Sequence, residues 1–89
     1  MIARSYNESM IKSLHSDEYR KLTKWLKSCR EAKGLSMRDL AEKMSVPHTF
    51  IAKIEARERR LDVIEYLIYC KSLEVSPLEG LKVVDKFLR

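Results

Sequence analysis

The 89-residue sequence contains few of the residues that interrupt helices, with only two glycines and two prolines. No segment alternates β-branched and polar residues in the way that a half-buried strand does. Helix boundaries must therefore be set mainly by capping residues such as serine, aspartate and glycine. An all-α domain is the fold class that follows.

Long apolar runs are also missing. The N-terminus lacks the apolar core of a signal peptide, and no stretch approaches the roughly 20 apolar residues that span a bilayer. The two cysteines, Cys29 and Cys70, fall at apolar positions of helical patterns and have no secreted disulfide framework around them. We therefore expect a cytoplasmic protein with buried free thiols and no membrane partner.

Signatures of catalysis and metal binding are equally scarce. The histidines and cysteines show none of the close pairs that zinc sites use, and no glycine-rich phosphate loop occurs. The run His15-Ser16-Asp17 holds the residue types of a catalytic triad, but a triad is a spatial constellation and adjacency in sequence does not predict one. No enzyme, cofactor or metal site is predicted.

The net charge of +5 is concentrated in one part of the chain. Residues 17–60 contain 12 basic and 7 acidic side chains, which gives +5, whereas residues 1–16 carry +1 and residues 61–89 carry −1. An excess of positive charge on one segment is typical of proteins that bind an anionic partner.

Capping residues and apolar periodicity predict five helices joined by short turns. The spacing of capping boxes occurs in three pairs, Ser36 with Asp39, Asp62 with Glu65, and Ser76 with Glu79. Gly34 is placed to end the first helix. The residues that mark the five starts are Ser16, Ser36, Pro47, Asp62 and Ser76.

Three segments organise the predicted domain. Residues 17–76 form its body, and residues 77–89 form a C-terminal helix that is suited to dimerisation. In residues 1–16, apolar side chains recur at i, i+4 spacing, which fits a further short helix. A disordered arm fits equally well, because terminal segments fray unless they are docked.

The second and third predicted helices are separated only by residues 45–47. Such a tight turn makes them cross steeply, as in a helix-turn-helix, with Ala41 at their contact. The outer face of the third helix then presents His48, Thr49 and Lys53. Side chains at this end of such a helix reach base edges in the major groove, while lysine can reach phosphate.

These residues carry a resemblance to a known family. The span from Leu22 to about Pro77 resembles the helix-turn-helix domain of the Xre family, the Cro and lambda-repressor type of regulator. The stretch "PHTFIAKIEARERRLDVIEYLIYCKSLEVSP" is similar to one common branch of that family. The resemblance implies a five-helix lambda-repressor-like fold. It also implies a sequence-specific transcriptional regulator, most simply a repressor, with a recognition helix over about 47–56 in the major groove of double-stranded DNA.

The resemblance also implies roles for individual side chains. Arg30 of the first helix is expected to pair with Glu55 of the third helix and so to fix the angle of the recognition helix. The residues expected to face DNA bases or its backbone are Arg38, His48, Thr49, Lys53, Arg57, Arg59 and Arg60.

Three positions depart from the family pattern. Ser45 replaces the usual turn glycine, so it either adopts a positive φ at some cost or tightens the turn differently. Arg57 replaces a glycine that often ends the third helix, which leaves the C-cap geometry open and adds a cation. Met37 stands where a glutamine commonly lies, so one expected DNA contact is absent.

Surplus apolar surface on the fourth and fifth predicted helices indicates a homodimer. Val63, Leu67 and Cys70 are expected to face inward, which leaves Ile64 and other apolar side chains, Tyr69 among them, on outer faces. A homodimer would suit a pseudo-palindromic operator. The predicted interface residues are Ile64, Ile68, Leu81, Val84, Phe87 and Leu88.

A second functional class stays open at this point. The chain could be an antitoxin-type or other protein-binding module whose DNA binding is secondary. Only residues 1–16 are left over to wrap such a partner, so the sequence favours the DNA-binding regulator. Copurification with a small protein encoded nearby would distinguish the second class from the first.

Overall fold

The computed structural model describes residues 16–88, and side chains up to Lys86. Residues 1–15, which include most of the predicted arm or helix, and the side chains of Phe87 and Leu88 lie outside the described part. Over residues 16–88 the chain forms α-helices and no strands, which confirms the all-α prediction. The five helices are α1 (Asp17–Ala32), α2 (Met37–Met44), α3 (His48–Glu55), α4 (Val63–Leu73) and α5 (Pro77–Leu88).

The capping boxes predicted at Ser36 and Asp62 are formed. The Asp39 N–H donates to Ser36 Oγ at 3.0 Å, and the Ser36 N–H donates to Asp39 Oδ2 at 2.9 Å. At the start of α4, the Glu65 N–H donates to Asp62 Oδ1 at 2.7 Å and the Asp62 N–H donates to Glu65 Oε1 at 3.0 Å. These bonds satisfy backbone donors that have no partner inside the helix, which explains why the two starts are legible in sequence.

The ends of the helices use left-handed backbone. Gly34 has φ of 71° after α1, as predicted for a residue that follows a helix end. Ser45, Arg57 and Glu74 have φ of 58°, 60° and 60° without being glycine. For an L-residue this conformation costs roughly 1–2 kcal/mol, so packing elsewhere must hold these three positions in place.

The buried apolar residues of the hydrophobic core come from α1, α2, α3 and α4, and helix α1 packs most extensively along α5. Gly80 allows this close approach, since an added Cβ would lie 2.6 Å from Trp25 Cζ3 and would also collide with the Tyr66 hydroxyl. The buried apolar residues are Leu26, Leu40, Ala41, Met44, Ile51, Ile54, Tyr66, Tyr69, Cys70 and Leu73.

The prediction for the faces of α4 was partly wrong. Tyr69, expected on an outer face, is fully buried, whereas Val63 and Leu67, expected inside, are 71% and 44% exposed. The buried face runs through Tyr66, Tyr69 and Leu73. Because α4 is apolar on all sides, its sequence pattern does not distinguish the inward face from the outward one.

The cysteines are free thiols, with Cys70 buried and Cys29 half-buried. Burial raises the pKa of both thiols. Over residues 16–88, no helix is both long enough and apolar enough to cross a membrane.

Candidate nucleic-acid interface

The turn between α2 and α3 places the candidate interface. Ser45 ends α2 in the left-handed conformation, and the Val46 N–H donates to the carbonyl of Ala41 at 3.0 Å. Ala41 is 3% exposed, so the chain can fold back closely over this small side chain. Helix α3 consequently packs across α2 through fully buried Ile51 and Ile54, and its opposite face is left on the surface.

The outward face of α3 carries the predicted contact residues. His48, Thr49 and Lys53 are exposed, and so is Arg38 in the first turn of α2. One shallow groove of about 210 Å³ is lined by Arg38, Ala41, Glu42, Val46 and His48. Within residues 16–88, no ion pair involves Arg38, His48 or Lys53. These polar groups are therefore available to an external partner.

A buried ion pair joins α1 to the C-terminal end of α3. Arg30 Nε lies 2.7 Å from Glu55 Oε2, and Arg30 Nη2 lies 3.1 Å from Glu55 Oε1. The third guanidinium nitrogen donates to the carbonyl of Leu35 at 2.7 Å. The two side chains are only 9% and 6% exposed. The structure thus brings the predicted pair together, and the Glu55 hydrogen bond raises the pKa of Arg30.

Arg57 takes the place of a helix-ending glycine without changing the type of turn. It has φ of 60°, and its N–H donates to the carbonyl of Ile54 at 3.0 Å. The next residue, Glu58, donates its N–H to the carbonyl of Lys53 at 2.8 Å. The departure from glycine therefore leaves a left-handed turn with a half-buried cation just beyond α3.

Arg59 has internal partners that the sequence did not reveal. Its guanidinium donates to both carboxylate oxygens of Glu65, each at 2.9 Å, and to the carbonyl of Arg60 at 3.1 Å. It also lies 4.6 Å from the centre of the Phe50 ring. The Arg59 hydrogen bonds lower the pKa of Glu65. The same carboxylate caps α4, so Arg59 connects the recognition helix to α4.

Tyr19 is a second missed contact of this loop. Its hydroxyl donates to the carbonyl of Arg59 at 2.6 Å across 40 residues of sequence. Burial raises the pKa of Tyr19 to about 12. Nothing in the local sequence pattern around Tyr19 or Arg59 indicates this pairing, because it depends on how α1 packs.

Comparison with protein families and solved structures places this geometry among known proteins. A family model described as "Helix-turn-helix" matches residues 26–79, which is more than half of the chain. A sequence comparison with proteins of curated function found no match.

Several solved structures are similar over most of the chain. An XRE-family-like protein from Pseudomonas syringae pv. tomato is 30% identical, with a TM-score of 0.79 over 92% of this chain and all of that chain. The restriction-modification controller C.Esp1396I, solved as a tetramer with its 35-base-pair operator, is 30% identical with a TM-score of 0.72. That match covers 81% of this chain and 95% of the controller. The controller C.AhdI from Aeromonas hydrophila is 25% identical, with a TM-score of 0.68 over 73% of this chain and 98% of its own.

Proposed function

This chain belongs to the XRE family of helix-turn-helix DNA-binding regulators, and from that premise we propose that it represses transcription as a homodimer on a pseudo-palindromic operator. The observation that supports this most is the outward face of α3. Its polar side chains are exposed, while the helix beneath them is held by the buried Arg30–Glu55 pair. A surface that is free of internal partners and rigidly oriented is what groove recognition needs.

In this proposal, side chains in the first turn of α3 recognise the bases. His48 and Thr49 are short polar side chains that can donate to or accept from base edges. They lie at the end of the helix that enters the major groove in helix-turn-helix proteins. Each specific contact of this kind is worth roughly 1–3 kcal/mol of discrimination.

In this proposal, the cations around α3 contact the phosphate backbone of DNA. Lys53 is exposed one turn beyond His48, and Arg38 lies beside the start of the helix. Arg57 and Arg60 lie on the loop after α3. Arg59, which the resemblance places in the same set, is held by Glu65 and Phe50, so we assign it to shaping this loop instead of contacting phosphate.

The apolar face of α4 and α5 supports the homodimer. Ile64, Ile68 and Leu81 of the predicted interface are 63%, 46% and 49% exposed, and Val84 is half-buried. Val63 and Leu67 extend this face beyond the predicted set. Specific dimers bury about 1,600 Å² in total, a size that two such helix pairs can supply. The tetrameric assembly of C.Esp1396I on its operator is a precedent within the same fold.

Repression follows from the size of the proposed complex and its place on DNA. A dimer bound across both half-sites would cover the groove on one face of the duplex and exclude polymerase from an overlapping promoter. No catalytic step and no bound small molecule is needed for this action.

Selection from a random duplex pool, followed by titration of the recovered duplex at about 50 and 200 mM salt, tests the proposal. We expect a palindromic consensus and an affinity that falls steeply with salt, because binding releases counterions from the duplex. Sedimentation should give the mass of a dimer at a protein concentration of roughly tens of micromolar, which exceeds a micromolar dissociation constant of the dimer. Transcription from a promoter that overlaps the selected site should fall when the protein is added. Salt-insensitive binding without a consensus, or a monomeric mass, would contradict the proposal.

A further inference from the structure

A strongly basic groove lies between α1 and the turn that follows α3, away from the groove that Arg38 and His48 line. Its volume is about 260 Å³. Thr23 forms part of its floor, and Glu55 lies at its edge. We call it the α1 groove, and its cationic residues are Arg20, Lys21, Lys24, Lys27 and Arg57.

The acidic groups near the α1 groove neutralise little of this charge. The Glu55 carboxylate is already bound on both oxygens by Arg30. Asp17 pairs with Arg20 at 2.5 Å, but both side chains are more than half exposed, and such pairs are weak in water.

Three of the groove cations have no acidic partner of their own. Within residues 16–88, no ion pair involves Lys24, Lys27 or Arg57. Lys24 and Lys27 are exposed, and Arg57 is half-buried in a backbone conformation that glycine would occupy at lower cost. The groove therefore combines at least three uncompensated charges with a strained position that holds one of them.

The arrangement of charge along α1 is unfavourable for the isolated helix. Arg20, Lys24 and Lys27 follow one another at i, i+4 and i+7, and all three are on the exposed part of α1. Like charges at this spacing repel by roughly 0.2–0.5 kcal/mol per pair. An external anion that bridges the row would relieve this repulsion.

The dimensions of the row fit a nucleic-acid backbone. At about 1.5 Å per residue, Arg20 to Lys27 spans roughly 10 Å. A DNA strand carries one phosphate per roughly 3.4 Å of helix axis, so a row of this length can reach more than one phosphate of a strand. Arg57 lies just beyond the C-terminal end of α3, and so joins the α1 groove to the helix that carries the proposed DNA-facing surface.

We propose that the α1 groove binds backbone phosphates of the DNA that flanks each operator half-site. This inference rests on the proposed function and extends its footprint beyond the helix-turn-helix. Lys24 and Lys27 would hold the flanking strand, and Arg57 would contact the phosphate between that strand and the half-site. Contacts of this kind add affinity and orientation without adding base preference.

A double variant, Lys24→Gln with Lys27→Gln, tests the inference on two duplexes. One duplex carries the selected operator with about ten flanking base pairs on each side, and the other ends at the operator, so the first alone offers flanking phosphates along about one turn of DNA. On the long duplex we expect the salt slope to fall by about 3.6, since the dimer loses two contacts from each protomer and each phosphate contact contributes roughly 0.9. The loss of affinity between about 50 and 200 mM salt should then shrink roughly a hundredfold. On the short duplex the variant and the unmodified protein should bind alike.

Lys82→Gln on α5 is the matched control, because it removes the same charge from an exposed side chain outside the α1 groove. It should leave the slope on both duplexes unchanged. An unchanged slope for the double variant on the long duplex, or equal losses on both duplexes, overturns the inference. So does unchanged DNA binding with lost binding to polyglutamate, which would assign the groove to an acidic protein segment. Failure of the unmodified protein to prefer its selected duplex over a scrambled one contradicts the proposed function instead.

Discussion

Positive charge and exposed apolar surface occupy different halves of this chain. Residues 17–60 hold 12 basic and 7 acidic side chains, and residues 61–89 hold four and five. Among the described residues, the large apolar side chains that are exposed all lie in the second half. They are Val63, Ile64, Leu67, Ile68, Leu78 and Leu81. In our proposal the first half binds DNA, and the second half joins two copies.

The two halves also differ in how their working surfaces are held. Helix α3 is held by a buried ion pair, and the loop that follows it is held by the Arg59–Glu65 pair and the Tyr19 hydroxyl. The apolar face of α4 and α5 is carried by ordinary core packing around Tyr69 and Leu73. Polar recognition needs exact orientation of donors and acceptors, whereas an apolar interface tolerates small shifts. Substitutions in the two halves should therefore impair the protein in different ways.

The largest effect is expected at the ion pair of the charged half. Arg30→Ala or Glu55→Ala should lower the free energy of unfolding by about 3–5 kcal/mol, because either change leaves the other charge buried without its partner. Urea unfolding of both single variants and of the double variant measures the coupling. Losses that add up to that of the double variant would show that the pair does not act as a unit.

A comparable loss of association, without loss of folding, is expected in the apolar half. Ile68→Glu would bury a carboxylate without a partner in the dimer and should weaken dimerisation by about a hundredfold or more, roughly 3 kcal/mol. The fold of each protomer should survive, because Ile68 is 46% exposed. Sedimentation measures the effect, with Ala32→Glu on the exposed end of α1 as the control. A dimer that persists in Ile68→Glu places the interface elsewhere.

Two left-handed positions in the charged half allow a matched comparison of smaller effects. Ser45→Gly and Arg57→Gly should each change the stability by about 1 kcal/mol or less, because relief at positive φ is offset by backbone entropy. Arg57→Gly also removes a cation and should lower the salt slope of DNA binding by about one for each protomer of the dimer. Ser45→Gly should leave that slope unchanged. Equal slopes for both variants would remove Arg57 from the proposed phosphate contacts.

The smallest expected effect is the pH dependence of the stability that comes from the ion pair between Arg59 in the charged half and Glu65 in the apolar half. The Arg59 hydrogen bonds lower the pKa of Glu65 below its ordinary value of 4.5. The resulting stability is present above that value and is lost as the pH falls through the lower pKa of the folded state. For a partly exposed pair we expect about 1 kcal/mol or less. Glu65→Gln should remove this part of the acid sensitivity in urea unfolding between roughly pH 6 and 3. An identical loss of stability at low pH in the unmodified protein and in Glu65→Gln would contradict this prediction.

Local features of the fold were predictable from the sequence because the residues that cause them are close together. The capping boxes at Ser36 and Asp62 and the glycine after α1 act within one turn of the chain. The helix-turn-helix followed from the shortness of residues 45–47. These features depend on backbone hydrogen bonding that any context would preserve.

Tertiary features were harder to predict from the sequence, because they depend on how the helices pack. The Tyr19 hydroxyl and the Arg59–Glu65 pair could not be inferred from spacing, and α4 is apolar on too many sides to reveal that Tyr69 is buried and Val63 exposed. The Arg30–Glu55 pair was expected only from resemblance to a family. The outward position of His48 follows from the turn, but its contact with a base does not.

Selection of bound duplexes with the unmodified protein, Thr49→Ala and Lys53→Ala tests the central claim most directly. We expect a palindromic consensus, because the apolar half pairs two copies. Thr49→Ala should change that consensus at symmetric positions and lose roughly 1–3 kcal/mol on the original site. Lys53→Ala should weaken all sequences alike, with the salt slope lower by about one for each protomer and the consensus intact. A consensus without symmetry, or one that Thr49→Ala leaves unchanged while affinity falls uniformly, would contradict the assignment of base recognition to α3 and of pairing to α4 and α5.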